Sequence, residues 1–411
     1  MDINKHRKSR LGARLVTFVF LGAAVLSFGM TPSAQVKEYL QQPGIKTFQY
    51  EIQHVLTVCS SGPPTCQYRK IQDAIDAAPE DLVSAPQPRG PITKIVVAPG
   101  IYEENLVIGK SVVLEGAGRD KVILRPSSKI GQAAEVGILV VTNVYGVFVD
   151  ISGIHIQRTD RGNSVSVMVL GALALTRLHQ NRFESSIDGV HIEASLSNVI
   201  EENEFLFSGN ATTCHPIDAI TLATLWIRRN IFPDRCFSRI VSARQNPYGR
   251  ELTKPGERLL IEENQGGEFA ILDSAAVLIQ RNKLKGILLD HVETVVIQEN
   301  EIQFRKGNIS VVYGIWIKGS RDVAITKNVI EDNLADGIIV SKSDTSQSSS
   351  ISLMNNRVLR NEGFGVITDN IDSITVCQGN EVKENKKGDY GVGPEYSAQP
   401  SLALKQKCEG N

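Results

Sequence analysis

The 411-residue chain has almost no excess of charge of either sign: 44 lysines and arginines stand against 45 aspartates and glutamates. A general nucleic-acid binder needs a basic surplus to neutralise phosphates, so that class is excluded. Aromatic residues are few, at 6%, with only 2 tryptophans. There is no Cys-x-x-Cys, no His-Glu-x-x-His and no paired-histidine spacing. Zinc and dithiol chemistry therefore have no motif, no metal site is read, and no cofactor is implied. Collagen periodicity, sustained heptads and low-complexity tracts are also missing, which removes fibrous, coiled-coil and disordered classes.

What is present is β-branched. Isoleucine and valine make up roughly a fifth of the chain, a load that favours strands. The start reads differently. Lys5, Arg7, Lys8, Arg10 and Arg14 precede an apolar stretch from Leu15 to Met30, followed by small residues up to Ala34. That pattern predicts a signal peptide over residues 1–34 and an exported chain, periplasmic or extracellular, with the retained membrane anchor as the alternative. Its removal leaves a net charge of about −5, and no later segment is apolar enough to span a bilayer. Six cysteines agree with an oxidising compartment, and their order suggests the pairs Cys59–Cys66, Cys214–Cys236 and Cys377–Cys408.

An internal repeat decides the fold class. Nine short segments carry an apolar residue, two or three polar ones and an asparagine: Asn181, Asn203, Asn230, Asn264, Asn282, Asn300, Asn328, Asn356 and Asn380. Many are preceded by a small residue and alternating apolar positions, as at Gly189, Gly286 and Gly314, each 14 residues before its asparagine. Short strands of constant length separated by connections of variable length predict an all-β, right-handed parallel β-helix. The asparagines are expected to mark equivalent turns, where an amide can bond the same residue in the next coil and the backbone can turn left-handed. Cys214 and Cys236 lie 22 residues apart, about one coil, so they fit neighbouring rungs.

A solenoid exposes a sheet edge at each end. The segment from Tyr68 to Pro79 is amphipathic at helical spacing, with Ile71, Ala74, Ile75 and Ala78 on one face, and predicts a helix across the N-terminal end. The resulting organisation is a signal peptide (1–34), an N-terminal extension with capping helix (35–90), the β-helix (91–385) and a C-terminal capping tail (386–411).

Candidate chemistry lies on outward strand positions. Asp188 and Asp218 each precede a strand in consecutive coils and are expected to share a register. Stacked carboxylates would repel, leaving one ionised as a nucleophile and one protonated as an acid. His155 and His191 are expected to share a register on the same face, followed by Glu193, Thr221, Asp290, Trp316 and Lys318. Trp316 offers a flat apolar surface for a sugar ring, and Lys318 a charge for a uronate carboxylate.

The segment from Tyr68 to about Leu222, roughly the first half of the mature chain, resembles the pectin methylesterases. The resemblance rests on KIQDAIDAAP, on IVVAPGIYEENLVIGKSVVLEGAGRDKVIL, and on SVMVLGALALTRLHQNRFESSIDGVHI. It implies a secreted carbohydrate esterase of the pectin-lyase-like superfamily, with Asp188 as acid/base, Asp218 as nucleophile and Arg250 as the residue orienting it. The expected partner is an acidic, pectin-like polysaccharide bound by a monomer. The competing expectation is a non-catalytic β-helix whose loops bind other proteins.

Overall fold

The computed structural model describes residues 52–79, 92–127, 138–142, 147–158, 165–170, 174–185, 188–207, 214–234, 236–242, 258–304, 313–342, 350–394 and 397–410. Residues 174, 194, 196, 222, 223 and 242 are described by backbone alone. The predicted signal segment and Arg250 lie outside the described residues.

Every coil alternates inward aliphatic and outward residues, because successive side chains of a strand point to opposite faces. In one coil the strands Gly286–Asp290, Glu293–Gln298 and Glu301–Ile302 follow one another. Their inward residues Ile287, Leu289, Val295, Ile297 and Ile302 are all buried. The next coil repeats the arrangement in parallel, Ile287 against Ile315 and Val295 against Val323. Stacked this way, the chain is a parallel β-helix with three faces per coil. Apart from the antiparallel pairing of Gly388–Val392 with Gln399–Pro400, the strand ladders described are parallel. Each buried isoleucine or valine contributes roughly 1.5–3 kcal/mol.

The nine asparagines stack in one column. Each backbone N–H donates to the side-chain oxygen of the asparagine one coil on, from Asn181 to Asn203 at 2.9 Å through Asn356 to Asn380 at 3.0 Å. The left-handed residue is not the asparagine but the one before it: Gln180, Glu202, Arg229, Glu263, Arg281, Glu299, Lys327 and Asn355 all have φ between 53° and 58°. Those side chains point outward, and several pair across coils with opposite charge, such as Arg229 with Glu202 and Arg281 with Glu263. A second, shorter column runs Asn333–Asn361–Asn385.

Both ends are closed. The helix Ile71–Ala77 buries Ile71, Ala74 and Ile75 against the first coils, and its first N–H groups donate to the Glu104 carboxylate at 2.9 and 3.0 Å. At the other end the capping tail forms a helix, Leu402–Glu409. It buries Leu404 and Cys408, and Cys408 is bonded to Cys377. Cys59–Cys66 and Cys214–Cys236 are also bonded, the last with a Cα separation of 5.0 Å between adjacent coils. No helix among the described residues is long and apolar enough to cross a membrane.

Candidate functional site

The strands Asp188–Glu201 and His215–Arg228 are each 14 residues long, running through what elsewhere is a corner between two faces. Bulges around Ser195 absorb the bend. Here the expected register fails in an informative way. Asp188 pairs with His215, and His191 pairs with Asp218, so the two aspartates sit three positions apart along the strands. Each carboxylate thereby meets an imidazole instead of another carboxylate. His215 Nδ1 lies 2.9 Å from Asp188, and His191 Nδ1 lies 3.2 Å from Asp218. Asp188, His191 and Asp218 still converge, each with one donor atom within 4.8 Å of the others'.

Arg239, one coil further, pairs with Asp218 and donates to both its oxygens at 2.7 and 2.8 Å. A bidentate guanidinium is the strongest neutralising partner a carboxylate can have. Burial raises the Asp218 pKa, but the hydrogen bonds and positive charge of His191 and Arg239 outweigh it and hold the group far below the usual carboxylate range. The Asp218 hydrogen bond in turn raises His191 against the opposing effect of burial. Asp218 is thus kept ionised by cations on either side, not by repulsion from Asp188. The sequence signal for Arg239 was weak, because the Phe237–Ser242 strand carries no motif; only the register brings it over Asp218.

The same three residues are the one grouping among the described residues with the geometry to hold a cation. Several of its donor atoms are already engaged: Asp218 by Arg239 and His191, and one Asp188 oxygen by His215. The donor set is that of an acid–base cluster. Beneath it the core carries a run of phenylalanines, Phe183, Phe205, Phe232 and Phe269, with successive ring centroids 5.0 to 5.5 Å apart. The Cys214–Cys236 bond immediately precedes His215 and Phe237, whose rings meet edge to face at 4.6 Å.

The remaining expected site residues divide. His155 does not share a register with His191; it lies on a different sheet, paired with Ile123 and Arg182, and contacts Glu184 at 3.1 Å. Burial, first among the causes, lowers its pKa. Thr221 is buried, not outward, because alternation from the outward Asp218 and Ile220 turns it inward with Ile217 and Ala219; its hydroxyl has no partner among the described residues. Glu193 is exposed beside the cluster. Trp316 shares the column of His191, Asp218 and Arg239, four rungs beyond Asp218, or about 19 Å. It is half-buried against Tyr313, and its indole N–H donates to Ser341. Lys318 is paired with Asp290 at 3.1 Å.

One group escaped sequence reading altogether. Glu268 sits on an outward-parity position but is buried, with one carboxylate oxygen lacking a partner among the described residues. Burial pushes its pKa up to about 8. Its register neighbour is Gly286, and the same position holds Gly314, Gly337 and Gly365 in later coils. There a side chain has no room: a Cβ on Gly337 would lie 2.6 Å from the Gly365 carbonyl.

A family model described as right handed beta helix region matches residues 258–404. The fold is a right-handed parallel β-helix. A curated relative, a probable pectinesterase/pectinesterase inhibitor of Arabidopsis thaliana, is 32% identical over 94 residues, covering 20% of this chain and 15% of that protein. Among solved structures, the β-helix is similar to the A-module of a mannuronan C-5 epimerase from Azotobacter vinelandii. That match has 16% identity and a TM-score of 0.41 over 78% of this chain and 89% of that one. It is also similar to the pectin methylesterase of Aspergillus niger, with 12% identity and a TM-score of 0.33 over 75% and 87%.

Proposed function

We propose that the protein is an exported enzyme acting on a pectin-like polysaccharide, and that its reaction is ester hydrolysis centred on Asp218. The observation that carries this reading is an ionised, outward-facing carboxylate clamped through both oxygens by Arg239, with His191 and Asp188 beside it. Three disulfides suit an oxidising compartment outside the cytoplasm. The short resemblance to a pectinesterase supports the substrate class.

In this reading an Asp218 oxygen attacks the ester carbonyl, and the bond to the leaving alkoxide breaks as His191 delivers its proton. Water, deprotonated by the now neutral His191, then cleaves the acyl-aspartate and restores the carboxylate. The pKa values suit these roles: Asp218 needs no deprotonation, and a raised His191 carries a proton to give. Arg239 orients the nucleophile, and Asp188 with His215 holds the neighbouring wall.

The test is methanol release from methyl-esterified pectin, alongside a glycan-binding screen. Release is expected, with a loss of at least about a hundredfold in Asp218→Asn, which keeps the shape but removes the charge. Unchanged turnover in Asp218→Asn and Asp188→Asn would overturn the catalytic assignment. Neither release nor glycan binding would favour the non-catalytic scaffold.

A further inference from the structure

The outward stripe that runs from Val107 and Met168 through His191, Asp218 and Arg239 to Ala270 and Leu288 is charged only over its middle three rungs. His215 joins that island from the side, through Asp188, and the reaction derived above gives it no chemical task. Taken in order, His215, Asp188, His191, Asp218 and Arg239 alternate basic and acidic groups. The spans are 2.9 Å from His215 Nδ1 to Asp188, within 4.8 Å from Asp188 to His191, and 3.2 Å from His191 Nδ1 to Asp218. The middle span is one that a single water bridges. His215 is held by the edge-to-face ring of Phe237 and its side chain is 20% exposed, so this end of the series reaches solvent.

Charge sets how many protons the series holds. Two carboxylates and the Arg239 guanidinium leave one negative charge, which one imidazolium balances. Two imidazoles therefore compete for one compensating proton. Glu193, on the strand of His191, adds to the raising of the His191 pKa by Asp218 and Asp188. Met168 and Ala270 on the adjoining rungs, and Phe237 beside His215, bring no charge. Ester hydrolysis, meanwhile, liberates a proton: ester and water give a carboxylate, an alcohol and one proton. His191 protonates the alkoxide and regains a proton from water, while the carboxylic acid product still holds the other.

We propose that Asp188 and His215 form the exit for that proton. His191 passes its regained proton through Asp188 to His215, which releases it to solvent, and His191 then takes the proton of the product acid. The product leaves as a carboxylate, and His191 is charged for the next turnover. His215 acts through Asp188 and touches no substrate, so its role is positional and proton-passing. This exit rests on the ester-hydrolysis reading above and adds a residue and a step to it.

The experiment follows methanol release in dilute buffer by the full chain and by His215→Gln, which keeps an N–H toward Asp188 but takes up no proton. Turnover of the variant is expected to fall about tenfold with KM unchanged, and to recover as imidazole is added, because a free base then carries the proton away. Unchanged turnover in His215→Gln overturns the exit, as does a loss that imidazole does not restore while thermal unfolding is unaltered. A second measurement covers a variant that fails to fold: nitrogen NMR titration of the unsubstituted chain, without substrate. His191 is expected to titrate in two steps, the mark of two imidazoles sharing one proton. A single step at His191 overturns the pairing. Failure of the enzymatic reading looks different: the unsubstituted chain would release no methanol, which removes the exit's task, while the two-step titration of His191 persisted.

Discussion

The asparagine column and the outward stripe are cut from the same coils, yet one keeps its residue for nine coils while the other changes from apolar to charged and back. The difference follows from what each position faces. In the turn, a buried asparagine accepts from the coil on one side and donates to strand carbonyls; Asn282 also gives its amide to the Asn300 side chain at 2.9 Å. No other side chain of that size offers both donor and acceptor at the required geometry, so the position is constrained by the stacking itself. On the outward face the backbone is already satisfied by its ladder. The side chain is then free to serve packing or chemistry.

Four measurements would break or sharpen that contrast. The largest effect is expected at Glu268, an outward-parity position that behaves like an interior one. Its folded pKa of about 8 lies above its ordinary value of 4.5, so its contribution to stability is fully present below about pH 4.5 and is lost as the pH rises through 8. Over that window the change is on the order of 5 kcal/mol, at about 1.4 kcal/mol per unit. Glu268→Gln should abolish this slope and be the more stable protein at pH 8; denaturant unfolding at pH 5 and pH 8 reads both, and an unaltered slope would mean the carboxyl has another partner.

Next comes the ladder. Asn282→Ala removes its amide's bonds to the carbonyls of Ile261 and Gln280 and leaves the Asn264 amide without its acceptor, and should cost about 3 kcal/mol in urea unfolding. A cost below about 1 kcal/mol would show the column to be dispensable. Removing the Cys214–Cys236 bond by double Cys→Ser substitution should cost about 3 kcal/mol for a loop of this length. It should also lower methanol release more than the stability loss explains, since the bond holds the coils that carry His215 and Asp218; activity at a temperature where the variant is fully folded separates the two effects. The smallest effect belongs to the left-handed column. Arg281→Ala removes exposed ion pairs with Glu262 and Glu263 and should change stability by less than about 0.5 kcal/mol, measured against Asn282→Ala in the same buffer.

Much of the scaffold was legible without coordinates because it is periodic. The β-helix, the capping-helix face of Ile71, Ala74 and Ile75 and the nine stacked turns all follow from spacing, which reports local geometry directly. The second column, Asn333–Asn361–Asn385, was equally open to view, five residues after Asn328, Asn356 and Asn380, but its shorter run hid it among polar loop residues. Two expectations went astray because the placement of strands between coils depends on loop lengths and corners, which strand patterns do not encode. So Asp188 met His215 instead of Asp218, and His155 fell on another face from His191. Thr221 was open to view, since alternation from Asp218 already turns it inward.

By itself, then, the amino-acid order determined the repeat, the coil length and which residues face the core, because alternation and turn chemistry act within a few residues. Only the tertiary structure decided which side chains meet across coils. The clamp of Arg239 on Asp218 joins residues 21 apart, and the burial of Glu268 against a column of glycines involves coils still further along the chain. Such contacts arise where parallel strands come to lie about 4.8 Å apart, and that stacking exists only once the whole solenoid has closed over its core.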